Sequence, residues 1–515
     1  MFTHHRQTVF YSLALLLILL LAGYLRLHRV ELTPGWFSDE GTHLAIARHL
    51  REGQVQYFAL NQSTLLVARL PLFELVLAGA VRVFGLSMTT LRTLTGLLGV
   101  VSVGLLYGVT SYTLNRRVAL LAAFMLAIYP QAVLYSRFGF SYNLLAPLML
   151  LVLPGLTRYR HTGRRRWLIL AAGCVGLGLT SDVMMGIVIV PVLLVSLWTR
   201  KRDVLWAGLL MALPFAIYAG IMLLTVPDAF LFDLRYTLTR LGGTSLLEQA
   251  RELALNYTIL LSQDYWMIAG LIGLFLLPGR NLRVIALGLL LLPILLLGRT
   301  VALHNLSAYY TIPLLPLVAL GAGQFAERAF ITIASAINTR WAAHALAALL
   351  ILTPLVTITW LTIDKVNHFY PTAIDPFLLD AETTRQTAHF INTHSQPDDL
   401  TIASPGVGWL LENHTADFQM AAAAEGAITP HLPPNIPADR WAFDPRYAQA
   451  KFVVVDPLWT TWGAVHIPAV ANLLVEVEGW PLVYEAGAIR VYENPSQTTG
   501  IPRSDAPRSE VVASG

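Results

Sequence analysis

A single cysteine, Cys174, occurs among 515 residues. That scarcity excludes an intramolecular disulfide and any cysteine-rich metal site. Charge is scarce too: Asp, Glu, Lys and Arg make up 13% of the chain, about half the share of an ordinary soluble domain. The sequence shows no internal repeat, nucleotide-binding glycine loop, nucleophile elbow or clustered set of metal ligands. The net charge of +4 is small and the basic residues fall in short clusters, which argues against a nucleic-acid partner.

Apolar length is what the chain has in excess. Hydrophobic residues account for 55% of it, and the mean hydropathy is +0.59. Runs such as Phe10 to Leu25 and Val284 to Leu297 approach the roughly 20 residues a bilayer demands. The composition predicts a polytopic membrane protein. Ala22-Gly23-Tyr24 is a poor cleavage site, so the first run reads as an uncleaved span rather than a signal peptide.

Spans are predicted near 8–27, 91–113, 119–136, 142–158, 167–181, 183–198, 204–225, 264–278, 282–298, 308–325 and 342–361. One further stretch, Leu70 to Phe84, starts at Pro71 and carries Glu74 and Arg82. It is short for a span and suits a helix lying in the interface. With that stretch not crossing, one side collects Arg6, Arg116, Arg117, Arg158, Arg160, Arg164 to Arg166, Arg200 to Arg202, Arg280, Arg283, Arg328 and Arg340. The positive-inside rule therefore predicts eleven spans, with the N-terminus cytoplasmic and the C-terminus outside.

The expected architecture is an all-α membrane domain over 1–363, with an external loop at 28–90. A small extracytoplasmic α/β domain follows over 364–495, then a disordered tail over 496–515. Thr383 to His394 reads as a helix and Lys451 to Asp456 as a buried strand. Trp480 to Glu485 and Ala488 to Glu493 read as a hairpin around Gly487.

The loop after the first span carries Asp39 and Glu40. Ser38 reads as the N-cap of a helix running to Glu52, which puts both acids in the first turn. The helix dipole alone favours carboxylates there. It also keeps Asp39 ionised, as a general base must be. The loop is too long for a plain connector.

Taken in order, the span, Asp39-Glu40, an amphipathic helix, Leu70-Pro71-Leu72, an interfacial helix, Phe84-Gly85 and Leu91-Arg92 form a pattern. Tyr135-Ser136-Arg137, Tyr309-Tyr310 with Pro313 and Pro316, and the late Tyr492-Glu493-Asn494-Pro495 extend it. This layout resembles the GT-C glycosyltransferases, in the branch of protein O-mannosyltransferases and lipid A aminoarabinose transferases. The resemblance implies an integral protein of the plasma or inner membrane. It would transfer a sugar, with inversion, from a polyprenyl-phosphate donor to a hydroxyl acceptor on a protein, lipid or glycan at the outer face. Asp39 would be the base and Glu40 its partner in the motif. A lipid phosphate leaves without a general acid, so the remaining task is to hold it with cationic donors. The predicted outer loops offer Arg69, Arg137, Arg235, Arg240, Arg299 and His304, with Asp182 and Tyr309 as further candidates. An arginine at a span end also snorkels to the interface, and Asp182 also suits a helix cap.

One departure bears on cofactors. Many relatives carry a second acid after the third span, where this chain reads Phe140-Ser141-Tyr142-Asn143. The expectation is accordingly for no tightly held metal, with room for a weakly bound divalent cation. Two other readings compete: a polytopic lipid or glycan transporter, and a non-catalytic scaffold of the same fold.

Overall fold

The computed structural model describes residues 2–63, 70–239, 264–300, 305–336, 340–368 and 378–497, with six further residues between 247 and 258. Two compact units emerge: Met1–Pro34, Ala68–Pro227 and Leu238–Tyr370 form one, and Gly35–Val67, Asp228–Thr237 and Pro371–Gly515 the other.

The first unit is helical. Among the described residues, five helices are long and apolar enough to cross a membrane: Gln7–Leu27, Met88–Thr113, Asp203–Thr225, Tyr309–Ala336 and His344–Asn367. A sixth forms if Arg116–Ile128 and Pro130–Ser136, bent by 58°, count as one. Other predicted spans fall on helices that are shorter, broken or less apolar, among them Tyr142–Thr162, Arg165–Leu179, Ile189–Thr199 and Tyr265–Phe275. Pro71–Phe84 is a 14-residue helix, too short to cross. Leu17 and Leu20 on the first helix, and Leu205 and Leu209 further on, lie exposed. Apolar surface on that scale needs lipid to cover it, as in an integral membrane protein.

The bend at Pro130 shows how this unit handles charge. Proline has no N–H, so the carbonyl four residues earlier, that of Leu126, loses its helical donor. Arg26, 1% exposed, donates instead, to Leu126 O at 2.8 Å and to Ala127 O at 2.9 Å.

A five-stranded sheet organises the second unit. Its order runs His414–Ala416, Leu400–Ile402, Ala450–Val455, Ile489–Glu493, Leu482–Ala486. The first two pairings are parallel and the last two antiparallel. Every residue of Ala450–Val455 is buried, as befits a strand covered on both faces. Side chains alternate: Phe452 and Val454 join a core with Phe390 and Ile391 of the helix Ala381–His394. Val453 and Val455 join the opposite core, with Val470 and Leu473 of the helix Pro468–Val477.

That second core also takes in Ala45, Ile46, Tyr57 and Phe58. Residues of 45–60 thus pack with the C-terminal sheet, where the linear reading places them in a loop of the membrane domain. Burial of these side chains against the sheet is the physical reason.

Candidate active site

The acid helix spans Ser38–Arg51. Its N-cap is Phe37 and not Ser38, which becomes the first helical residue. Trp36 and Phe37 pair antiparallel with Leu379 and Leu378, so the extended segment ends at Phe37 and the helix starts one residue earlier than expected. The Phe37 N–H donates to Glu40 Oε2 at 2.8 Å, half of a capping box. Glu40 is fully buried at 0% exposure; Asp39 is half-buried. The two adjacent acids therefore do different things. Glu40 closes the helix start, and Asp39 keeps surface that a substrate can reach.

Gly41 sets where this helix lies. A Cβ on it would fall on the backbone carbonyl of Pro405, so only glycine allows the approach. Pro405 opens the turn Pro405–Gly408. The preceding residue, Ser404, donates its hydroxyl to the buried carboxylate of Asp456. Asp456 also accepts the Leu458 N–H at 2.9 Å. Burial pushes its pKa up to about 6 against these hydrogen bonds. Further along the acid helix, Arg48 donates to Leu411 O at 2.9 Å and to Trp409 O. Trp36 lies 5.5 Å from Trp409, ring to ring. The Tyr57 hydroxyl donates to Asp417 Oδ2 at 2.8 Å, and burial raises the pKa of that carboxyl. The base candidate is thus carried by the sheet unit through several independent contacts.

The first unit gathers three other candidates around the segment 137–143. Arg137 is 2% exposed. It donates to Leu25 O, His28 O and Thr33 O at 2.9, 2.9 and 3.0 Å. These are carbonyls at the end of the first helix and in the turn that follows it. Asp182 caps the 3₁₀ turn Val183–Val188 through the Met184 N–H at 2.9 Å, and accepts the Ser141 hydroxyl at 3.1 Å. Its observed part is the helix-cap one. Tyr309 stacks on Tyr142 at 5.5 Å and meets Phe140 at 4.7 Å. An aromatic cluster therefore occupies the loop Phe140-Ser141-Tyr142-Asn143.

Arg235 is exposed on the helix Pro227–Thr239. Two residues earlier, Asp233 makes a buried bidentate pair with Arg440, at 2.9 and 3.1 Å. Arg299 falls in the last turn of Arg280–Thr300. Arg69, Arg240 and His304 lie outside the described residues. Among the described residues, no group of three or more His, Cys, Asp or Glu is placed to hold a metal.

Sequence reasoning passed over Gly41, Arg48, Ser404 and Asp456, which fix the acid helix. Gly41 directly after the acid pair was the one local signal. The rest are scattered over 400 positions and become neighbours only on folding.

Residues 68–229 match the model of the family described as dolichyl-phosphate-mannose-protein mannosyltransferase. No curated protein matches the sequence. Among solved structures, ArnT from Cupriavidus metallidurans, bound to undecaprenyl phosphate, superposes with a TM-score of 0.60 at 14% identity, covering 96% of this chain and 99% of that one. Its apo form gives 0.59 at 15% identity, covering 95% and 98%. The archaeal oligosaccharyltransferase AglB from Archaeoglobus fulgidus, in complex with an inhibitory peptide and a dolichol-phosphate, gives 0.53 at 12% identity, covering 97% and 75%. The chain carries the fold of the GT-C superfamily and resembles, within it, the protein O-mannosyltransferase and lipid A aminoarabinose transferase branch.

Proposed function

We propose that this protein is a glycosyltransferase that moves a sugar from a polyprenyl-phosphate donor to a hydroxyl acceptor at the outer face of the membrane, with inversion. The observation that carries the reading is the end-to-end likeness to an enzyme fold solved with undecaprenyl phosphate bound. AglB, solved with a dolichol-phosphate and an inhibitory peptide, supports the same donor chemistry. In this reading the chain crosses the membrane eleven times, with its N-terminus inside and its sheet unit outside.

Asp39 takes the proton of the acceptor hydroxyl as that oxygen attacks the anomeric carbon. The phosphate departs with the bonding electrons and needs no acid, being stable as an anion. Glu40 fixes the first turn that carries Asp39. A divalent cation, if used, is held weakly by few carboxylates, and activity then falls with chelator and returns with added metal. Arg235 remains a candidate for the departing phosphate. Arg137 acts on backbone carbonyls and supports the fold.

The test is transfer from radiolabelled polyprenyl-phosphate sugars by membranes containing the protein, beside the Asp39→Asn variant. The expected result is incorporation in the wild type and a loss of roughly 10²- to 10⁴-fold in the variant, the usual contribution of a general base. Equal background signal from two well-folded proteins across a broad donor panel would replace this reading with the transporter or scaffold.

A further inference from the structure

A cleft of about 720 Å³ opens in the helical unit, lined by Phe275, Leu276, Arg283, Phe325, Arg328 and Ile333. It arises where two helices of unequal reach part company. Tyr265–Phe275 and Leu315–Ala336 touch backbone to backbone at Gly270, Gly273 and Gly321, where any Cβ would strike the facing chain. Beyond that crossing the first helix stops at Phe275, while the second runs on to Ala336. The longer helix is left with an uncovered flank.

The lining is amphipathic. Phe275 is 53% exposed and Phe325 37%, an apolar wall with no aqueous purpose. At the other edge, Arg283 is fixed by donating Nε and Nη2 to Leu277 O at 3.0 and 2.8 Å. It stands in the first turn of Arg280–Thr300, which contains no acid, so its charge adds to the positive end of that helix. Arg328 is exposed on the facing helix. Its neighbour Glu327 is turned by about 100° around the helix axis and is not part of the lining.

We infer that this cleft binds an anionic phospholipid, its phosphate held between Arg283 and Arg328 and its acyl chains lying along Phe275, Phe325 and Ile333. A zwitterionic lipid would fill the apolar wall equally but bring an ammonium toward two arginines. The volume lies within the range of ordinary ligand sites. Basic pockets between membrane helices on the cytoplasmic side take such headgroups, and the basic loops assign this edge to that side. The inference is independent of the transfer reaction and of Asp39.

The experiment uses the full-length protein in detergent, offered phosphatidylglycerol or phosphatidylcholine, with retained lipid read by native mass spectrometry. Wild type is expected to keep one phosphatidylglycerol preferentially. Retention should fall roughly tenfold or more in Arg328→Glu and less in Arg328→Gln, as basic residues near anionic lipid contribute to its retention. Lys201→Glu, an exposed charge in another inner loop, should leave retention unchanged. Equal retention of both lipids, full retention by Arg328→Glu, or an equal loss in Lys201→Glu would overturn the inference. So would displacement of the lipid by millimolar inorganic phosphate, which would make the cleft a site for a free anion.

Discussion

A carboxylate that accepts a proton from a substrate hydroxyl has to be within that hydroxyl's reach, and of the acid pair only Asp39 keeps exposed surface. Glu40 is buried and accepts the Phe37 N–H. Truncating it removes the carboxylate that accepts this buried N–H, at a cost of about 1–3 kcal/mol. In the transfer assay above, Glu40→Ala is expected to lower the unfolding temperature and keep part of the activity. Asp39→Asn should do the reverse, losing activity at an unchanged unfolding temperature; thermal unfolding of the purified variants separates the two. Asp456 makes a second residue-scale prediction. Its pKa rises from 3.8 to about 6 in the fold, so the folded state favours the protonated form. The associated stability is fully present below about pH 4 and is lost as the pH climbs to about 6, roughly 3 kcal/mol in all at about 1.4 kcal/mol for each pH unit. Unfolding temperatures of wild type and Asp456→Asn across pH 4 to 8 check this: the gap between them should change with pH in that window and stay flat above it.

At the scale of elements, the acid helix belongs with the sheet. Gly41 lets it approach the Pro405 carbonyl, Arg48 ties its far end to Leu411 and Trp409, and Ala45 and Ile46 enter the core. Gly41→Ala is therefore expected to push helix and turn apart at about 1–3 kcal/mol, the cost of overpacking. This runs against helix propensity, by which alanine improves on glycine. Differential scanning fluorimetry decides it: a raised unfolding temperature would mean that the close approach does not hold. The same scale explains which elements could be read in advance. The run Lys-Phe-Val-Val-Val-Asp marks a strand because β-branched and aromatic residues stand uninterrupted, and the structure makes Ala450–Val455 the central strand. The start of the acid helix was misplaced by one residue because the pairing of Trp36 and Phe37 with Leu378 and Leu379 outweighs the capping preference of Ser38.

For the whole molecule, the distribution of arginines predicts sidedness, and the chain supplies a convenient way to measure it. Its one cysteine, Cys174, is buried, so a Cys174→Ser background can carry single reporters. Lys201→Cys is expected to react with a membrane-impermeant maleimide only after the membrane is opened. Asp398→Cys is expected to react in intact cells. Labelling of both from the same side would remove the eleven-span arrangement.

What the sequence determined by itself is whatever depends on local composition. Long apolar runs mean helices in lipid, a β-branched run means a covered strand, and an acid pair behind a short cap means a helix start. Those properties are settled within a few residues of where they are written. The tertiary structure decided which charges are at work on the fold. Arg26 and Arg137 look in sequence like any arginines at span ends, yet each is turned inward to carbonyls about 100 residues away. It also decided that Trp36 and Phe37 pair with Leu378 and Leu379 and that Ala45, Ile46, Tyr57 and Phe58 join the core of the C-terminal sheet. Buried carbonyls must find donors and apolar side chains must find cover, and the partners that meet those demands are chosen by packing, not by proximity along the chain.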